Sequence, residues 1–178
     1  TGSMRVQVTQ LAQKDVWQTS PIVGSKSQDV NAGIITINGK DIDTDGKSYE
    51  DVVKDINKIS GVQASLVENS NGEFRLSIKS TETGASNKIN FNTKDDDSEL
   101  SVGAAKLFGD GTTLDNNLNV LKAQDMQLKA DGVDYSSKTN TVTIDGLKIT
   151  AVKETGDSTI EIGNDNTNLA TQMQNFAT

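Results

Sequence analysis

Short segments in which apolar and polar residues alternate recur along this chain, and they limit it to a fold built largely of β-strands. Residues 4–10 place Met, Val and Val on every second position, and residues 74–80 repeat the pattern. A strand that buries one face has this period of two, because successive side chains point to opposite sides of a sheet. Such segments recur at intervals of roughly 8–12 residues, a spacing typical of β-sandwiches and barrels.

Several of these segments are separated by an Asn-Gly or Asp-Gly pair. Both residues of such a pair tolerate the positive φ that a two-residue type I′ turn requires. The pattern therefore predicts β-hairpins at these points. The three pairs are Asn38-Gly39, Asn71-Gly72 and Asp145-Gly146.

One segment has the periodicity of a helix instead. Ser48 is a good N-cap, and Asp51 lies three residues later, as in a capping box. The helix is predicted to end before Gly61, which suits the C′ position. The apolar residues that fall on one face of this helix are Tyr49, Val52, Val53, Ile56 and Ile59.

Composition excludes several classes of function. The 178 residues include no His and no Cys, so thiol nucleophiles, disulfides, Cys/His zinc sites and Ser-His-Asp triads are impossible within this chain. The net charge of −8 argues against nucleic acid as a partner, because phosphate binding needs a basic patch. No apolar run approaches the roughly 18 residues of a membrane span.

Two acidic clusters partly resemble calcium-binding loops. Asp95, Asp96 and Asp97 are followed by Glu99, but the spacing lacks the EF-hand pattern. Asp41, Asp43 and Asp45 alternate before Gly46, but Val52 stands where the loop needs a Glu. We interpret the first cluster as a solvated loop and the second as carboxylates at a hairpin end, and we expect no metal site.

Three other features are better explained by structure than by chemistry. Ser136-Ser137 is predicted to form a turn, since no His can activate a nucleophile there. Gly109-Asp110-Gly111 is predicted to be a loop and not a phosphate cradle, since no helix with Lys follows it. Trp17 is predicted to anchor a loop or an interdomain contact in an irregular stretch. We therefore expect no enzyme activity, no catalytic residue and no cofactor.

Several blocks, in order, resemble the flagellar filament cap family, also called hook-associated protein two. A strand pair, a capped helix and the dipeptide Ile56-Asn57 are similar to the "hook IN" repeat of flagellar axial proteins. The resemblance covers nearly the whole chain and lacks the family's terminal helical regions. The blocks that carry it are residues 6–13, 33–39, 48–52, 62–65, 74–85, 123–126, 131–132 and 136–143.

The resemblance implies a mainly β fold with a few short helices (α+β), in two small strand-rich domains, one inserted into the other. Two polar, turn-rich stretches, at residues 19–31 and 94–117, are independent candidates for the boundaries. Residues 1–3 are set aside as a cloning remnant. The expected parts are a discontinuous β domain at 4–25 and 118–165, an inserted domain at 26–117, and the start of a truncated helix at 166–178.

The resemblance also implies a function. The whole protein would cap the flagellar filament outside the cell and promote flagellin polymerisation, with flagellin as partner and a self-associated ring, such as a pentamer, as its form. The chain itself is expected to be an outer-domain fragment, monomeric, without cofactor, nucleic acid or membrane as partner. Two alternatives remain open at this point: another flagellar axial protein, namely a hook–filament junction protein or a flagellin variable domain, and a surface adhesion module for host mucin or matrix.

Overall fold

A computed structural model describes residues 2–155 and 158–162, the last five by their backbone only. Its helices are α1 (Tyr49–Ile56) and α2 (Val102–Leu107), and 3₁₀ turns lie at Ala85–Asn87 and Asn116–Leu118. In chain order its strands are β1 (Gly2–Gln10), β2 (Val16–Gln18), β3 (Ile22–Val23), β4 (Ile34–Ile37), β5 (Lys40–Asp43), β6 (Val62–Glu68), β7 (Glu73–Ser80), β8 (Asn119–Leu121), β9 (Met126–Ala130), β10 (Val133–Ser137), β11 (Thr141–Ile144), β12 (Leu147–Thr150) and β13 (Ser158–Ile162). The predicted fold class, mainly β with a few short helices, is confirmed.

The described residues divide into two compact units. The first unit is drawn from residues 2–13, 83–86, 123–155 and 158–162, and the second from 14–82 and 87–122. Each unit has its own cluster of buried apolar side chains.

The first unit is built on an antiparallel sheet in the order β10-β9-β1-β13. The alternation in β1 places Met4, Val6 and Val8 on its buried face, as the sequence predicted. The β11-β12 hairpin shares their core, and its buried residues include Ile144 and Ile149. The sheet therefore has one apolar face, whereas the exposed residues of β1 and β9 include Arg5 and Lys129.

The second unit is built around β7, which pairs with β6 along one side and with β2 and β3 along the other. β8 pairs with β2, and β4 and β5 form a separate hairpin. Phe74, Leu76 and Ile78 of β7 are buried, which confirms the predicted inward face. The largest side chains of this core that are fully buried are Phe108, Ile35, Ile37, Ile56, Leu76 and Ile78.

Two of the three predicted type I′ turns are confirmed, and the third was wrong. Asn38-Gly39 has φ of 50° and 79°, and Asp145-Gly146 has 51° and 79°, so both are positive, as a type I′ turn requires. The Asn71-Gly72 hairpin differs, because only Gly72 has a positive φ (74°). Its loop spans residues 69–72, in which Asn69 Oδ1 accepts the backbone N–H groups of Asn71 and Glu73.

Helix α1 begins as predicted and ends earlier. The Ser48 hydroxyl accepts the Asp51 N–H at 3.1 Å, which is the expected N-cap bond. The C-cap is Asn57, in the right-handed helical region, and not a glycine. After it, the N–H groups of Lys58 and Ile59 donate to the carbonyls three residues before them. The prediction that Gly61 is the C′ residue was therefore wrong.

Three local predictions are corrected by the structure, and one helix was not predicted. The alternation at residues 88–92 also predicts a short strand with Ile89 and Phe91 inward. Both side chains are buried, but these residues form no named strand. Trp17 lies on a strand, β2, and packs in the core of the second unit. Ser136 and Ser137 lie on β10 rather than in a turn. Helix α2 was missed, because Val-Gly-Ala-Ala-Lys-Leu is short and has no strong apolar stripe.

The chain passes between the two units at residues other than the predicted domain boundaries. Residues 14–25 and 118–122, assigned to the discontinuous domain, lie in the second unit, because β2 and β3 pair with β7 and β8 pairs with β2. Strand β1 begins at Gly2, so two residues that were set aside as a cloning remnant take part in it. The predicted helix at 166–178 lies outside the described residues.

Candidate functional site

The acidic loop is held by its own hydrogen bonds. The Asp96 carboxylate accepts both the N–H and the hydroxyl of Ser98, at 2.9 and 2.6 Å, which lowers the pKa of Asp96. Asp97 Oδ1 accepts the side-chain amide of Asn90 at 3.0 Å. Asp95 and Glu99 are exposed. The carboxylates therefore stabilise a turn instead of converging on a point.

The alternating carboxylates of the β4-β5 hairpin also form hydrogen bonds and an ion pair within the fold. Asp41 accepts the Thr36 hydroxyl at 2.8 Å and lies 3.6 Å from the Lys94 ammonium. Asp43 accepts the Asp45 N–H at 3.0 Å, and Asp45 accepts the Gly33 N–H at 3.1 Å. Among the described residues, no group of three or more Asp or Glu side chains is arranged to hold a metal ion.

The glycine-rich loop is a tight turn. The Asp110 carboxylate accepts the N–H groups of Thr112 and Thr113, each at 2.8 Å, which lowers the pKa of Asp110. A Cβ on Gly109 would lie 1.8 Å from the Thr113 carbonyl oxygen, so the two chain segments approach too closely for any other residue. This glycine therefore permits the close approach of the two segments.

The segment that resembles the "hook IN" repeat connects α1 to the edge of the sheet. Ile56 is fully buried in the core of the second unit. Asn57 follows it, and its side-chain amide donates to the Ala64 carbonyl at 3.1 Å while its Oδ1 accepts the Ala64 N–H at 2.7 Å. Because β6 pairs with β7 and with no other described strand, this contact satisfies both backbone groups of Ala64 on the open edge. The motif therefore has a structural use.

A shallow cleft of about 540 Å³ lies between α1 and β5. Lys47 and Lys58 line it, and their ammonium groups lie 2.7 and 3.7 Å from the Asp55 carboxylate. The hydrogen bond from Lys47 lowers the pKa of Asp55 and raises that of Lys47. The charges of this cleft neutralise one another, so it presents no concentrated charge to a ligand.

Sequence reasoning missed one polar residue that organises the second unit. Asp15 is 1% exposed. Its carboxylate accepts the Ile89 N–H at 2.8 Å and the Asn119 side-chain amide at 2.9 Å. Its backbone N–H donates to the Ser80 hydroxyl at 2.9 Å. The only sequence signal was an acidic residue directly before the buried pair Val16-Trp17.

The exposed surface of the described residues offers scattered apolar side chains. Ile34 and Val102 are neighbours, because α2 packs against β4 and a Cβ on Gly33 would lie 3.6 Å from Val102. Within the same residues, no helix combines the length and the hydropathy that a membrane crossing requires. Among the residues that the structure describes, the large apolar side chains that are exposed are Val23, Ile34, Val67, Val102, Val120, Leu121, Val133 and Val152.

No family model matches the chain. Its sequence is 29% identical to flagellar hook-associated protein 2 of Campylobacter jejuni, over 98% of the chain and 33% of that protein. It is 33% identical to lateral flagellar hook-associated protein 2 of Vibrio parahaemolyticus, over 85% of the chain and 35% of that protein. The chain is homologous to flagellar hook-associated protein 2.

Solved structures show the same fold. The D2-D3 domains of the flagellar cap protein FliD from Escherichia coli match 89% of the chain, and 85% of that structure, with a TM-score of 0.65 at 24% identity. FliD (HAP2) from Pseudomonas aeruginosa matches 98% of the chain, and 85% of that structure, with a TM-score of 0.65 at 23% identity. The chain spans about a third of the length of the relatives named above. The resemblance read from the sequence is thus confirmed.

Proposed function

We propose that the protein to which this chain belongs caps the tip of the bacterial flagellar filament and promotes the polymerisation of flagellin there. The observation that carries the proposal is homology to flagellar hook-associated protein 2 along 98% of the chain. The fold shared with cap-protein domains agrees with it. Of the alternatives, both the names of the relatives and those of the structures favour the cap over another axial protein.

The proposed mechanism is steric and needs no reacting group. The carboxylates that the sequence singled out lie in turns, ion pairs and loop contacts within the fold. A protein of this kind acts by shape: it retains exported subunits at the filament end and leaves room for each to enter the lattice. We propose accordingly that it is not an enzyme and uses no cofactor.

The proposed partners are flagellin and further copies of the whole protein in a ring-shaped cap, such as a pentamer. The proposed location is outside the cell, at the filament tip. The described strands would form the outer part of each cap subunit, in two domains, with the second unit inserted into the first. We expect the chain alone to be a monomer, since the resemblance assigns ring formation to segments outside it.

The test is genetic. In a motile bacterium that encodes this protein, the gene is deleted, and flagellin is measured in the filament and in the medium. We expect short or missing filaments with flagellin free in the medium, and restoration of filaments by the intact gene. Normal filaments in the deletion strain would contradict a capping role. Loss of flagellin from filament and medium alike would also contradict it, since that indicates a defect before polymerisation.

A further inference from the structure

The sequence contains two Asn-Gly pairs, Asn38-Gly39 and Asn71-Gly72. Asparagine before glycine is the dipeptide most open to spontaneous deamidation, because glycine has no side chain to keep its backbone nitrogen from the asparagine side chain. The reaction needs an asparagine side chain that can turn toward the following nitrogen. The two pairs share this chemistry, and the structure gives them different surroundings.

The side chain and the backbone N–H of Asn38 both form hydrogen bonds with Asn90. Its side-chain Oδ1 accepts the Asn90 N–H at 3.0 Å, and its own N–H donates to the Asn90 carbonyl at 2.8 Å. The two-residue turn is closed by the register Ile37↔Lys40 of β4 and β5. Reaction at Asn38 therefore requires that the hydrogen bond of its side chain break first.

Asn71 is free to react. It lies in the exposed four-residue loop between β6 and β7. Its backbone N–H donates to Asn69 Oδ1 at 2.9 Å, but its side-chain amide has no hydrogen-bond partner among the residues that the structure describes. The N–H of Gly72 likewise has none within that part of the chain. Neighbouring Asn69 fixes the loop, since its own amide donates to Glu73 at 2.9 Å.

We propose that Asn71 is a site of spontaneous deamidation and that Asn38 is protected by its contact with Asn90. The Gly72 nitrogen attacks the Asn71 side-chain carbonyl carbon, and a carbon–nitrogen bond forms. The side-chain amide nitrogen leaves as ammonia, which carries the proton lost by the Gly72 nitrogen. Water then opens the resulting succinimide at either carbonyl and gives aspartate or isoaspartate, so no enzyme and no further reactant is required.

The modification adds one negative charge to the tip of the β6-β7 hairpin. Glu68 and Glu73 already flank this loop, and Glu68 forms an ion pair with Lys26. The isoaspartate product also lengthens the backbone by one atom in the loop. The paired residues of β6 and β7 lie outside the loop, so the change alters the charge and shape of this tip while the sheet remains.

The two pairs allow an experiment with an internal control. The folded chain is incubated at mildly alkaline pH, and peptides that contain each site are followed by mass spectrometry with fragmentation that distinguishes aspartate from isoaspartate. We expect deamidation at Asn71 to be about tenfold or more faster than at Asn38, because one hydrogen bond of ordinary strength must break before Asn38 can react. The same incubation in concentrated urea should bring the two rates close together, because the fold no longer protects Asn38.

Two variants sharpen the test. Asn71→Gln should abolish the product at this tip, since glutamine forms the corresponding ring far more slowly, and should leave the rate at Asn38 unchanged. Asn90→Ala keeps the backbone N–H and carbonyl that Asn38 contacts, so deamidation at Asn38 should stay slow in this variant. Equal rates at Asn38 and Asn71 in the folded chain would overturn the proposal, and so would the absence of product at Asn71.

Discussion

At the scale of single residues, Asp15 shows how the second unit uses a buried charge. Its carboxylate oxygens each accept a hydrogen bond, from the Ile89 N–H and from the amide of Asn119. These partners lie 74 and 104 residues away along the chain. A buried carboxylate is tolerated when such donors compensate for the water it has lost. Asp15 thus fixes an irregular segment and strand β8 against β2.

We expect Asp15→Ala to lower the free energy of unfolding by about 3 kcal/mol, because it leaves the buried Ile89 N–H without its acceptor and removes one acceptor of the Asn119 amide. Urea unfolding measures the change. Asp95→Ala, in an exposed part of the same unit, is the matched control and should change stability by less than about 0.5 kcal/mol. Equal losses in the two variants would show that the buried carboxylate is dispensable.

Trp17 is the other residue that the tertiary structure defines. It is 3% exposed, and its ring meets Phe91 and Phe108 edge to face, with centroids 5.7 and 6.1 Å apart. Phe91 and Phe108 stack on each other at 5.3 Å. These geometries are the favourable ones for aromatic rings. Only folding brings positions 17, 91 and 108 together.

At the scale of elements, α2 is a helix that is stabilised by its packing against β4. Its six residues are too few for a helix to be stable alone. Gly103 lies against β4, and a Cβ there would meet the Ile35 nitrogen at 2.7 Å and the Ile34 carbonyl carbon at 2.9 Å. The helix therefore touches the backbone of the strand, which only glycine permits.

We expect Gly103→Ala to destabilise the protein by about 1–3 kcal/mol, because the methyl group would push α2 away from β4. Alanine is the better helix former by about 1 kcal/mol, so propensity alone predicts the opposite sign. Thermal unfolding followed by circular dichroism decides between them. Lys106→Ala, on the exposed side of the same helix, should be close to neutral. A stabilised Gly103→Ala variant would mean that the close approach is absent.

At the scale of the whole molecule, the chain carries two separate apolar cores in two units that are discontinuous in sequence. The only tryptophan of the chain, Trp17, lies in the second unit. Its fluorescence therefore reports on the second core, whereas far-ultraviolet circular dichroism reports on both units. This difference provides a test of the proposal that the units are independent domains.

We expect Leu128→Ala, in the core of the first unit, to destabilise that unit by about 2–5 kcal/mol and to leave the urea midpoint of tryptophan fluorescence unchanged. Leu76→Ala is the matched change in the second core, where Leu76 is 0% exposed, and it should lower that midpoint. A fluorescence midpoint that falls in Leu128→Ala would show that the two units unfold as one cooperative body.

The sequence by itself determined the features that depend on neighbouring residues. The buried faces of β1 and β7, two type I′ turns and the Ser48 N-cap each follow from a period or a φ preference within a few positions. The composition alone excludes chemistry that needs His or Cys.

Only the tertiary structure decided where the chain passes from one unit to the other, which polar groups are buried, and that residues 102–107 form a helix. These outcomes depend on partners far away in the chain: β2 joins the second unit because it pairs with Lys79 and its neighbours on β7, and Asp15 is buried because Ile89 and Asn119 reach it. The free energy of such pairing depends on both segments, whereas a local sequence pattern describes only one of them.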